Sequence, residues 1–561
     1  MRLKLLFANP GMKTIKREDG LHIYLSVHNE TEMVSLIEKN PLDTAPRRRT
    51  MMRAIEEGCL VLLQMKENMP EEVFAYRSIT SSSELYYGHD SEGCFLLSDS
   101  FRNAVVQLHP KDRVLSREGM LDHYLTQTTP GRQTHLSSFK RLGHGELLHI
   151  RTRDKSITFS QIDRLENLYG LASMSLEEGL NRIDQGLNQV IVPEGNTANL
   201  LSGGIDSTLI QTYLGGNSRS ISGASDSPEY AGEMQYANEA ARWNGNSHQF
   251  AVVKEADFLT ELETATLVTG LPMNRLHAVL LCAVFRESPC EKHMIGLLAD
   301  VLLGMGDIRT AKIARLIQPL RHLPFKMIGP AFFRRKRNSF EQLVRIMELD
   351  PLDYRGFAFA GFGLNTDVAR KLIPQEALAR RLGVRRDYVL ERIDYSESKD
   401  KFWAHAVLGS LTDMLCDDSG SIYRQMAFSQ HATLHEPFAT KTVVRTSLDI
   451  PIRQRYMRGL EKKYLLKKLL KRRLSSYPVN RKKGGSRLPH YRYCRRGPLT
   501  DFFKAHQLPK IVDFIPDEKL LHPTPESVWL QISSITYTLW VEKVAKNDKL
   551  EMILGTINLQ F

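Results

Sequence analysis

Residues 200–210 read LLSGGIDSTLI and combine residue types that can bind a phosphate chain. The two glycines have no Cβ, so backbone N–H groups of this loop can approach an oxyanion closely. The hydroxyls of Ser202 and Ser207 can bind the same anion, and Asp206 can hold the Mg²⁺ that accompanies it. This pattern predicts a pyrophosphate site, and therefore ATP that is cleaved between its α- and β-phosphates.

Two elements must position this loop. Two leucines finish a buried strand before it, and the amphipathic segment STLIQTYL after it is typical of a helix. The start of that helix adds a positive dipole end and unpaired N–H donors. An ordinary Gly-Gly turn is the structural alternative, but the complete S-G-G-x-D-S pattern behind a strand favours a nucleotide. The loop has neither the Gly-Lys-Ser/Thr end of a Walker loop nor a G-x-G-x-x-G pattern.

The composition is that of a globular protein with room for more than one domain. The chain has 561 residues, of which 42% are hydrophobic and 25% are charged. Six scattered cysteines without a C-x-x-C pair predict neither a disulfide framework nor a zinc site. The opening MRLKLLFANPGMKT predicts a strand rather than a signal peptide, and the apolar run AVLLCAVF is too short to cross a bilayer. We therefore expect a cytoplasmic protein with no membrane partner.

Positive charge is concentrated toward the end of the chain. The formal net charge is +12, and much of the excess lies in residues 453–496. Such a stretch can bind nucleic acid, an acidic peptide, or only triphosphate and solvent. In KKYLLKKLLKRRL the leucines recur at helical spacing, which predicts one core face with the lysines outside.

The pattern of elements changes along the chain. Residues 1–165 contain short alternating segments such as EVFAYRSI, ELYYGH, GCFLLSDS and GELLHIRT, with one amphipathic helix in LSREGMLDHYLTQ. From about residue 175 the order becomes helix, strand, helix, which predicts a parallel sheet with helices on both faces. Its ligand should then lie at the carboxyl ends of the strands. From about residue 310 onward the chain is predicted to be mostly helical.

The phosphate-binding loop resembles the PP-loop of ATP pyrophosphatases, and three later segments resemble asparagine synthetases. Four residues behind the loop reproduce the E-x-x-Y-A…H spacing of that family: Glu233, Tyr236, Ala237 and His248. The segment HMIGLLADVLLG resembles the L-S-G-E-G-A-D-E segment and places Asp300 at the position of its metal-binding aspartate. KYLLKKLL followed by NRKKGG resembles the K-Y-L-L-R…R-x-K-x-G block, whose lysine corresponds to Lys483, with Lys482 beside it.

The upstream part of the chain is similar to the same family. TPGRQTHLSSFKRLGHGELLHI resembles the segment that ends the glutaminase domain. The chain is identified as a member of the asparagine synthetase superfamily, with similarity over most of its length and least in 305–400. The resemblance implies an α/β protein with two domains. They are a degenerate, β-rich glutaminase-like (Ntn-type) domain over 1–165 and a doubly wound, parallel-sheet PP-loop synthetase domain with helical extensions over 166–561.

The resemblance also implies ATP and Mg²⁺ as cofactors. The catalytic residues would be Lys483, Asp206 and Asp300, of which the two aspartates would bind the metal. Lys483 would stabilise charge on the adenylate and on pyrophosphate. The nucleotide would contact the loop and one glycine near Asp300: Leu201, Ser202, Gly203, Gly204, Asp206, Ser207 and Gly296.

Three departures from the family concern the substrate. Glutamine-dependent members begin Met-Cys, whereas this chain has Arg2 and its first cysteine is Cys59. The N-terminal domain is therefore expected to act as a scaffold without glutaminase activity. Leu297 and Val301 replace polar residues of the aspartate segment, and residues 433–440, TLHEPFAT, lack the charges with which the family binds its substrate.

Internal amide formers of the superfamily share the missing cysteine, and they include β-lactam synthetases and the macrolactam synthetases of lasso peptides. We favour the lasso cyclases, because the substrate segment is altered and the stretch SYPVNRKKGGSRLPHYRY suits an acidic peptide. An Asp or Glu side chain of a ribosomally made peptide would be adenylated and then attacked by the peptide's N-terminal amine. The expected partners are the precursor peptide, a leader-peptide-binding protein and a leader protease, with no nucleic acid.

Other classes of function stay open. They are a small-molecule amide former, either similar to a β-lactam synthetase or fed with ammonia, a tRNA-modifying PP-loop protein, and a nucleotide-binding remnant without catalysis. The base that accepts the amine's proton is open among His248, His293, His435 and Glu436, since a lone histidine is more often structural. Ring size, oligomeric state and the peptide-binding residues within 305–400 do not follow from the sequence.

Overall fold

The computed structural model describes residues 1–166, 168, 170, 174–193, 195–304, 316, 371–394, 401–458, 461–481, 488–525 and 527–561. Its strands are β1 (Leu3–Phe7), β2 (Lys13–Lys16), β3 (Leu21–Val27), β4 (Gly58–Lys66), β5 (Met69–Arg77), β6 (Tyr86–His89), β7 (Phe95–Ser98), β8 (Phe139–Arg141), β9 (Glu146–Arg151), β10 (Ser156–Gln161), β11 (Thr197–Leu200), β12 (Arg219–Ser225), β13 (Ser247–Val253), β14 (Lys292–Met294), β15 (Thr433–His435), β16 (Met457–Arg458), β17 (Glu461–Lys462) and β18 (Ile557–Gln560).

The helices lie between these strands along the chain. They are α1 (Glu30–Lys39), α2 (Ala45–Ala54), α3 (Phe101–Val106), α4 (Arg117–Thr126), α5 (Leu176–Val190), α6 (Ile205–Leu214), α7 (Ala231–Asn244), α8 (Phe258–Thr269), α9 (Ala278–Glu287), α10 (Ala299–Leu303), α11 (Gln375–Leu390), α12 (Lys401–Cys416), α13 (Ser419–Phe428), α14 (Lys441–Asp449), α15 (Ile452–Arg455), α16 (Tyr464–Arg473), α17 (His490–Arg496), α18 (Phe502–Ala505), α19 (Asp517–Leu521) and α20 (Val528–Trp540).

Two sheets formed mainly by the first ten strands pack face to face. One is antiparallel in the order β10-β9-β5-β4-β3-β2, and the other has the order β18-β1-β7-β6-β8 with β1 parallel to β7. In β4, Val61 and Leu63 face the other sheet, whereas Leu60 and Leu62 face helices α1 and α2. The continuous apolar run of β4 is therefore explained by burial on both of its faces.

A third sheet, which contains the strand before the SGGIDS loop, is parallel throughout, in the order β13-β12-β11-β14-β15. The strand order reverses at β11, which lies between β12 and β14. Helices α8 and α9 pack on one face of the sheet, and α5, α6, α14 and α16 pack on the other. This confirms the predicted α/β fold with a doubly wound sheet. Ligands of such sheets bind at the carboxyl edge where the order reverses, and the loops after β11 and β14 lie there.

The end of the chain returns to its beginning. Strand β18 pairs antiparallel with β1 in the register Lys4 to Gln560 and Phe7 to Ile557. Helix α20 belongs to the same hydrophobic cluster as α3 and α4. The sequence predicts that residues 557–560 belong to the second domain and that the chain ends in helices. The structure instead places these residues in a sheet of the N-terminal part. The boundary at 165/166 stays a prediction.

Two further features concern the surface and the thiols. None of the helices that the structure describes combines the length and apolar character needed to cross a bilayer. All six cysteines are free and buried. Burial raises the pKa of the Cys59 thiol, and Arg2 lies at the surface beside Glu92.

Candidate active site

The loop after β11 makes a sharp turn that only glycine accommodates. Gly203 has a φ of +68°, and a Cβ there would lie 2.2 Å from the backbone oxygen of Tyr236. Helix α6 begins immediately after Gly204, which donates its N–H to the Ser202 hydroxyl over 3.3 Å. The backbone N–H of Ser202 donates to the Ser207 hydroxyl over 3.2 Å. The loop therefore presents a helix start and two hydroxyls on one side of a fixed turn.

Tyr477 and Arg481, which follow helix α16, fix this turn through hydrogen bonds. Tyr477 donates its hydroxyl proton to the carbonyl of Gly203 over 3.0 Å. Arg481 donates to the same carbonyl over 2.9 Å and to the backbone oxygen of Tyr236 over 3.2 Å. An ion pair of 2.5 Å with Glu239 fixes the guanidinium. Arg481, the arginine of the R-x-K-x-G match, received no role from the sequence.

The two predicted metal ligands, Asp206 and Asp300, both contact the amino group of Lys463. Lys463 Nζ lies 2.6 Å from Asp206 Oδ2 and 2.5 Å from Asp300 Oδ1. Asp206 is in the first turn of α6 and Asp300 in the first turn of α10. Lys463, the first residue of the K-Y-L-L match, directly precedes α16 and also received no role from the sequence. The structure thus brings together the predicted aspartates and adds a lysine.

The backbone around this triad is tightly constrained. Leu298 and Lys463 adopt φ angles of +66° and +55°, which non-glycine residues rarely do. A Cβ on Gly304 would lie 2.5 Å from Lys463 Cγ, and one on Gly296 would lie 3.1 Å from Asp206 Cβ. Strained residues persist where the surrounding structure over-determines them, and they cluster at functional sites.

Charges at the triad depend on one another. Burial and the charge of Asp206 raise the pKa of Asp300 to about 6, although Lys463 opposes this. Asp300 nevertheless keeps 60% of its side-chain surface accessible, and this surface borders a large cavity. Burial disfavours the Lys463 ammonium, but the two carboxylates outweigh it and raise the lysine pKa. Asp206 Oδ1 is buried and has no hydrogen-bond partner among the residues that the structure describes. Two carboxylates with one unused oxygen fit the ligand preference of Mg²⁺.

A cavity of about 310 Å³, which we call the nucleotide-side cavity, extends from the loop along the edge of the sheet. Five predicted nucleotide-binding residues line it: Leu201, Ser202, Asp206, Ser207 and Gly296. Gly203 and Gly204 instead form the turn behind them. Glu233 and Phe250 also line the cavity, together with the middle of β12. Apolar walls with a few converging polar groups are typical of a small-molecule site.

A larger cavity of about 1,090 Å³ adjoins the first. His277, Gly296 and Leu297 line both cavities, and the larger one also reaches Asp300 and Lys463. Its lining residues come from two parts of the chain. Residues 1–165 contribute Arg77, Ser81, Ser82, Glu84, Gln127 and His144, and the later part contributes Asp413, Asp417, Asp418, Ser421 and Glu436. A molecule in the larger cavity, which we call the acceptor cavity, can therefore reach the triad.

Two of the candidate bases are held by structural hydrogen bonds. His248 pairs with the Ser220 hydroxyl at 2.8 Å through Nδ1 and with the Ser222 hydroxyl at 3.2 Å through Nε2. His293, in strand β14, is fully buried and pairs with the Ser288 hydroxyl at 2.7 Å. Burial lowers the pKa of both imidazoles to about 4. Neither residue lines the two cavities.

The other two candidates are also buried. His435 pairs with the Thr433 hydroxyl at 3.3 Å, and burial holds its pKa well below the usual range. Glu436 borders the acceptor cavity, but it accepts a hydrogen bond from the Ser82 hydroxyl at 2.5 Å and pairs with Arg424 at 3.4 Å. Its carboxylate is thus already paired.

Lys482 and Lys483 lie outside the described residues, so the role of Lys483 stays a prediction.

Comparison with known proteins agrees with this geometry. Residues 190–522 match the family described as asparagine synthase, and the chain belongs to that family. The class that this family defines is the ATP-dependent carbon–nitrogen ligases, whose members use ATP, generally with Mg²⁺. A comparison with curated proteins gives no match.

Proposed function

We propose that this protein closes a macrolactam ring in a ribosomally made lasso peptide. An Asp or Glu side chain of the peptide is adenylated by ATP, and the peptide's N-terminal amine then displaces AMP. The observation that carries this proposal is the acceptor cavity, which is more than three times as large as the nucleotide-side cavity and opens on Asp300 and Lys463.

The first half-reaction is activation of the carboxylate. The loop at Ser202 and Ser207 binds the phosphates, while the side-chain carboxylate of the peptide enters from the acceptor cavity. Its oxygen bonds to the α-phosphorus, and the bond to the β-phosphate breaks to release pyrophosphate. Asp206 and Asp300 would hold Mg²⁺, which neutralises phosphate charge when bound. Lys463, which lies at the same place as these two carboxylates, would stabilise charge that develops on the phosphates, and Lys483 is proposed to do the same.

The second half-reaction needs the amine held beside the adenylate. An intramolecular amine can have an effective concentration of about 10⁵ M or more, which replaces an external nitrogen source. No thiol is available to produce ammonia from glutamine, since Cys59 is buried and position 2 is Arg2. Leu297 and Val301 give the acceptor cavity apolar wall where related enzymes bind a small polar substrate. These features support a peptide as the substrate.

The substrate can be tested with synthetic peptides that have a free N-terminus and one internal Asp or Glu. We expect pyrophosphate release and a product lighter by one water only with such peptides, whereas glutamine should give no ammonia. Asp206→Asn and Asp300→Asn should each abolish pyrophosphate release, and Asp517→Asn, an exposed carboxylate in α19, should not. Activity with an amino-acid-sized acid and none with peptides would indicate a small-molecule amide former. Steeply salt-dependent tRNA binding would indicate the tRNA-modifying class.

The proposed partners follow from the substrate. A free N-terminal amine on the core peptide requires removal of a leader by a protease, and delivery of the precursor requires a leader-peptide-binding protein. Cyclisation of a full precursor should therefore depend on both proteins, whereas a synthetic core peptide should need neither. Cyclisation of the uncleaved precursor by this protein alone would contradict the proposed partners.

A further inference from the structure

One histidine stands on the wall between the two cavities. His277, at the start of α9, lines the nucleotide-side cavity and the acceptor cavity, next to Gly296 and Leu297. Its Nε2 pairs with the Tyr423 hydroxyl at 3.1 Å, and Tyr423 lines the nucleotide-side cavity. Nδ1 makes no hydrogen bond to any residue that the structure describes. No other histidine of the described chain lines both cavities.

The surroundings keep this imidazole neutral. Burial lowers the pKa of His277 to about 4, and Arg275 and His490 act in the same direction, while Asp417 opposes them. Burial raises the pKa of Tyr423 to about 12, so its hydroxyl stays protonated. A neutral imidazole whose Nε2–H donates to Tyr423 has its lone pair on Nδ1. An anionic phosphate ester bound beside it would raise the pKa of the histidine and make it a better base.

We propose that His277 is the base of the amide-forming step, with Tyr423 as the residue that orients its ring. The amine nitrogen bonds to the acyl carbon, and the bond from that carbon to the AMP oxygen breaks with its electron pair on AMP. The proton lost by the amine moves to His277 Nδ1 and then to water in the acceptor cavity. This inference rests on the proposed function and assigns a step for which the sequence offered four other residues.

Position separates His277 from those four. A base for this step must lie where the acyl-adenylate meets the amine, which is the boundary between the cavities. His248, His293 and His435 lie in strands of the parallel sheet, pair with serine or threonine hydroxyls, and line neither cavity. Glu436 is held by Arg424 and Ser82. Geometry therefore leaves His277 as the histidine in reach of both reactants.

The test separates the two half-reactions with one peptide in two forms. The N-acetylated peptide can be adenylated but not cyclised, so ATP–pyrophosphate exchange with it reports activation alone. The free-amine peptide reports amide formation. We expect His277→Gln to reduce amide formation by about 10²–10⁴-fold while exchange stays within about threefold of the unaltered protein. The matched control is His522→Gln, which changes an exposed histidine and should alter neither rate.

Two readouts distinguish a base from a structural residue. Added imidazole should partly restore amide formation to His277→Ala, and residual turnover should rise with pH until the peptide amine is deprotonated, near pH 8. Tyr423→Phe should lower amide formation by about tenfold more than it lowers exchange. Equal loss of exchange and amide formation in His277→Gln, or no loss of either, would overturn the assignment. No exchange in the unaltered protein with any peptide would overturn the proposed function, and the assignment with it.

Discussion

At the level of single residues, the most informative arrangement is Lys463 between Asp206 and Asp300. Two carboxylates this close to one ammonium would repel each other without it, and each requires a cation to stay ionised. The same carboxylates are suited to Mg²⁺. If these carboxylates held a metal ion, Lys463 would be available to stabilise phosphate charge at the same place.

The first prediction concerns that lysine. Lys463→Met should reduce pyrophosphate release by about 10²–10³-fold, because one charge donor to the phosphates is lost from a partly buried site. The measurement is ATP–pyrophosphate exchange with a saturating peptide. Lys471→Ala, on the exposed side of α16, is the matched control and should keep full exchange. Full exchange by the Lys463 variant would contradict the role given to this lysine.

The sequence predicted only part of this residue-scale picture. It predicted that Asp206 and Asp300 serve the same site, because the resemblance to asparagine synthetases implies that both aspartates bind one metal ion. It did not assign Lys463 or Arg481, since both are far along the chain and their roles follow from tertiary contacts. The K-Y-L-L and R-x-K-x-G matches already contained both residues. His277 had no such signal, because only the meeting of two cavities distinguishes it from other histidines.

At the level of elements, the turn between β11 and α6 is the most constrained connection. Its carbonyl at Gly203 accepts hydrogen bonds from Tyr477 and Arg481, so a segment 270 residues later stabilises it. The basic stretch of residues 453–496 therefore fixes the predicted phosphate-binding turn through Tyr477 and Arg481.

The second prediction tests the turn. Gly203→Ala should weaken ATP binding by at least about tenfold, because the new Cβ collides with the Tyr236 carbonyl at a φ of +68°. Binding can be followed by isothermal titration with a non-hydrolysable ATP analogue. Gly232→Ala is the matched control, since that glycine has open space around its Cα and an ordinary φ. Unchanged binding by the Gly203 variant would show that the turn tolerates a side chain.

Most individual elements were predictable from sequence. The strands at Met69–Arg77, Tyr86–His89, Phe95–Ser98 and Glu146–Arg151 and the helices Arg117–Thr126 and Leu176–Val190 confirm the alternating and amphipathic patterns. In α16 the leucines are buried and Lys468 is exposed, as its spacing predicted. Short strands such as β14 were seen only as apolar runs, because periodicity over three residues is not distinctive.

At the level of the whole molecule, the two ends of the chain form one sheet. The pairing of β18 with β1 has no sequence signal, because a five-residue end segment has no pattern of its own and its partner is more than 550 residues away. The third prediction follows from this pairing. Ending the chain after Thr556 should destabilise the fold by about 2–5 kcal/mol, through lost ladder hydrogen bonds and apolar packing.

The measurement for the shortened chain is its urea unfolding midpoint, followed by circular dichroism. The edge of β1 would also be exposed, so concentration-dependent association should increase. Asn558→Ala, which alters an exposed side chain of β18 and keeps the strand, is the control. An unchanged midpoint in the shortened chain would mean that β18 contributes nothing to stability.

The fourth prediction concerns pH. Burial lowers the pKa of many histidines in the described chain: His123, His135, His144, His248, His277, His293, His435 and His490. Between pH 6.5 and 4 the unfolded chain binds these protons and the folded chain does not, so the free energy of unfolding falls as pH falls. Buried carboxyls such as Asp99, with a pKa raised to about 7, act oppositely but are fewer.

Urea midpoints measured at pH 7, 6 and 5 test this balance, and they should fall in that order. His293→Asn should flatten the dependence, because it removes one buried group that must stay neutral. His522→Asn should leave it unchanged. A midpoint that rises toward pH 5 would show that the buried carboxyls dominate.

We propose that ATP adenylates a carboxylate that lies in the same peptide as the attacking amine. Phosphorus NMR of ATP consumption with a free-amine peptide tests it most directly, together with the mass of the peptide product. We expect AMP and pyrophosphate in equal amounts, with one water lost per peptide. ADP and phosphate, or AMP without loss of water from the peptide, would contradict it.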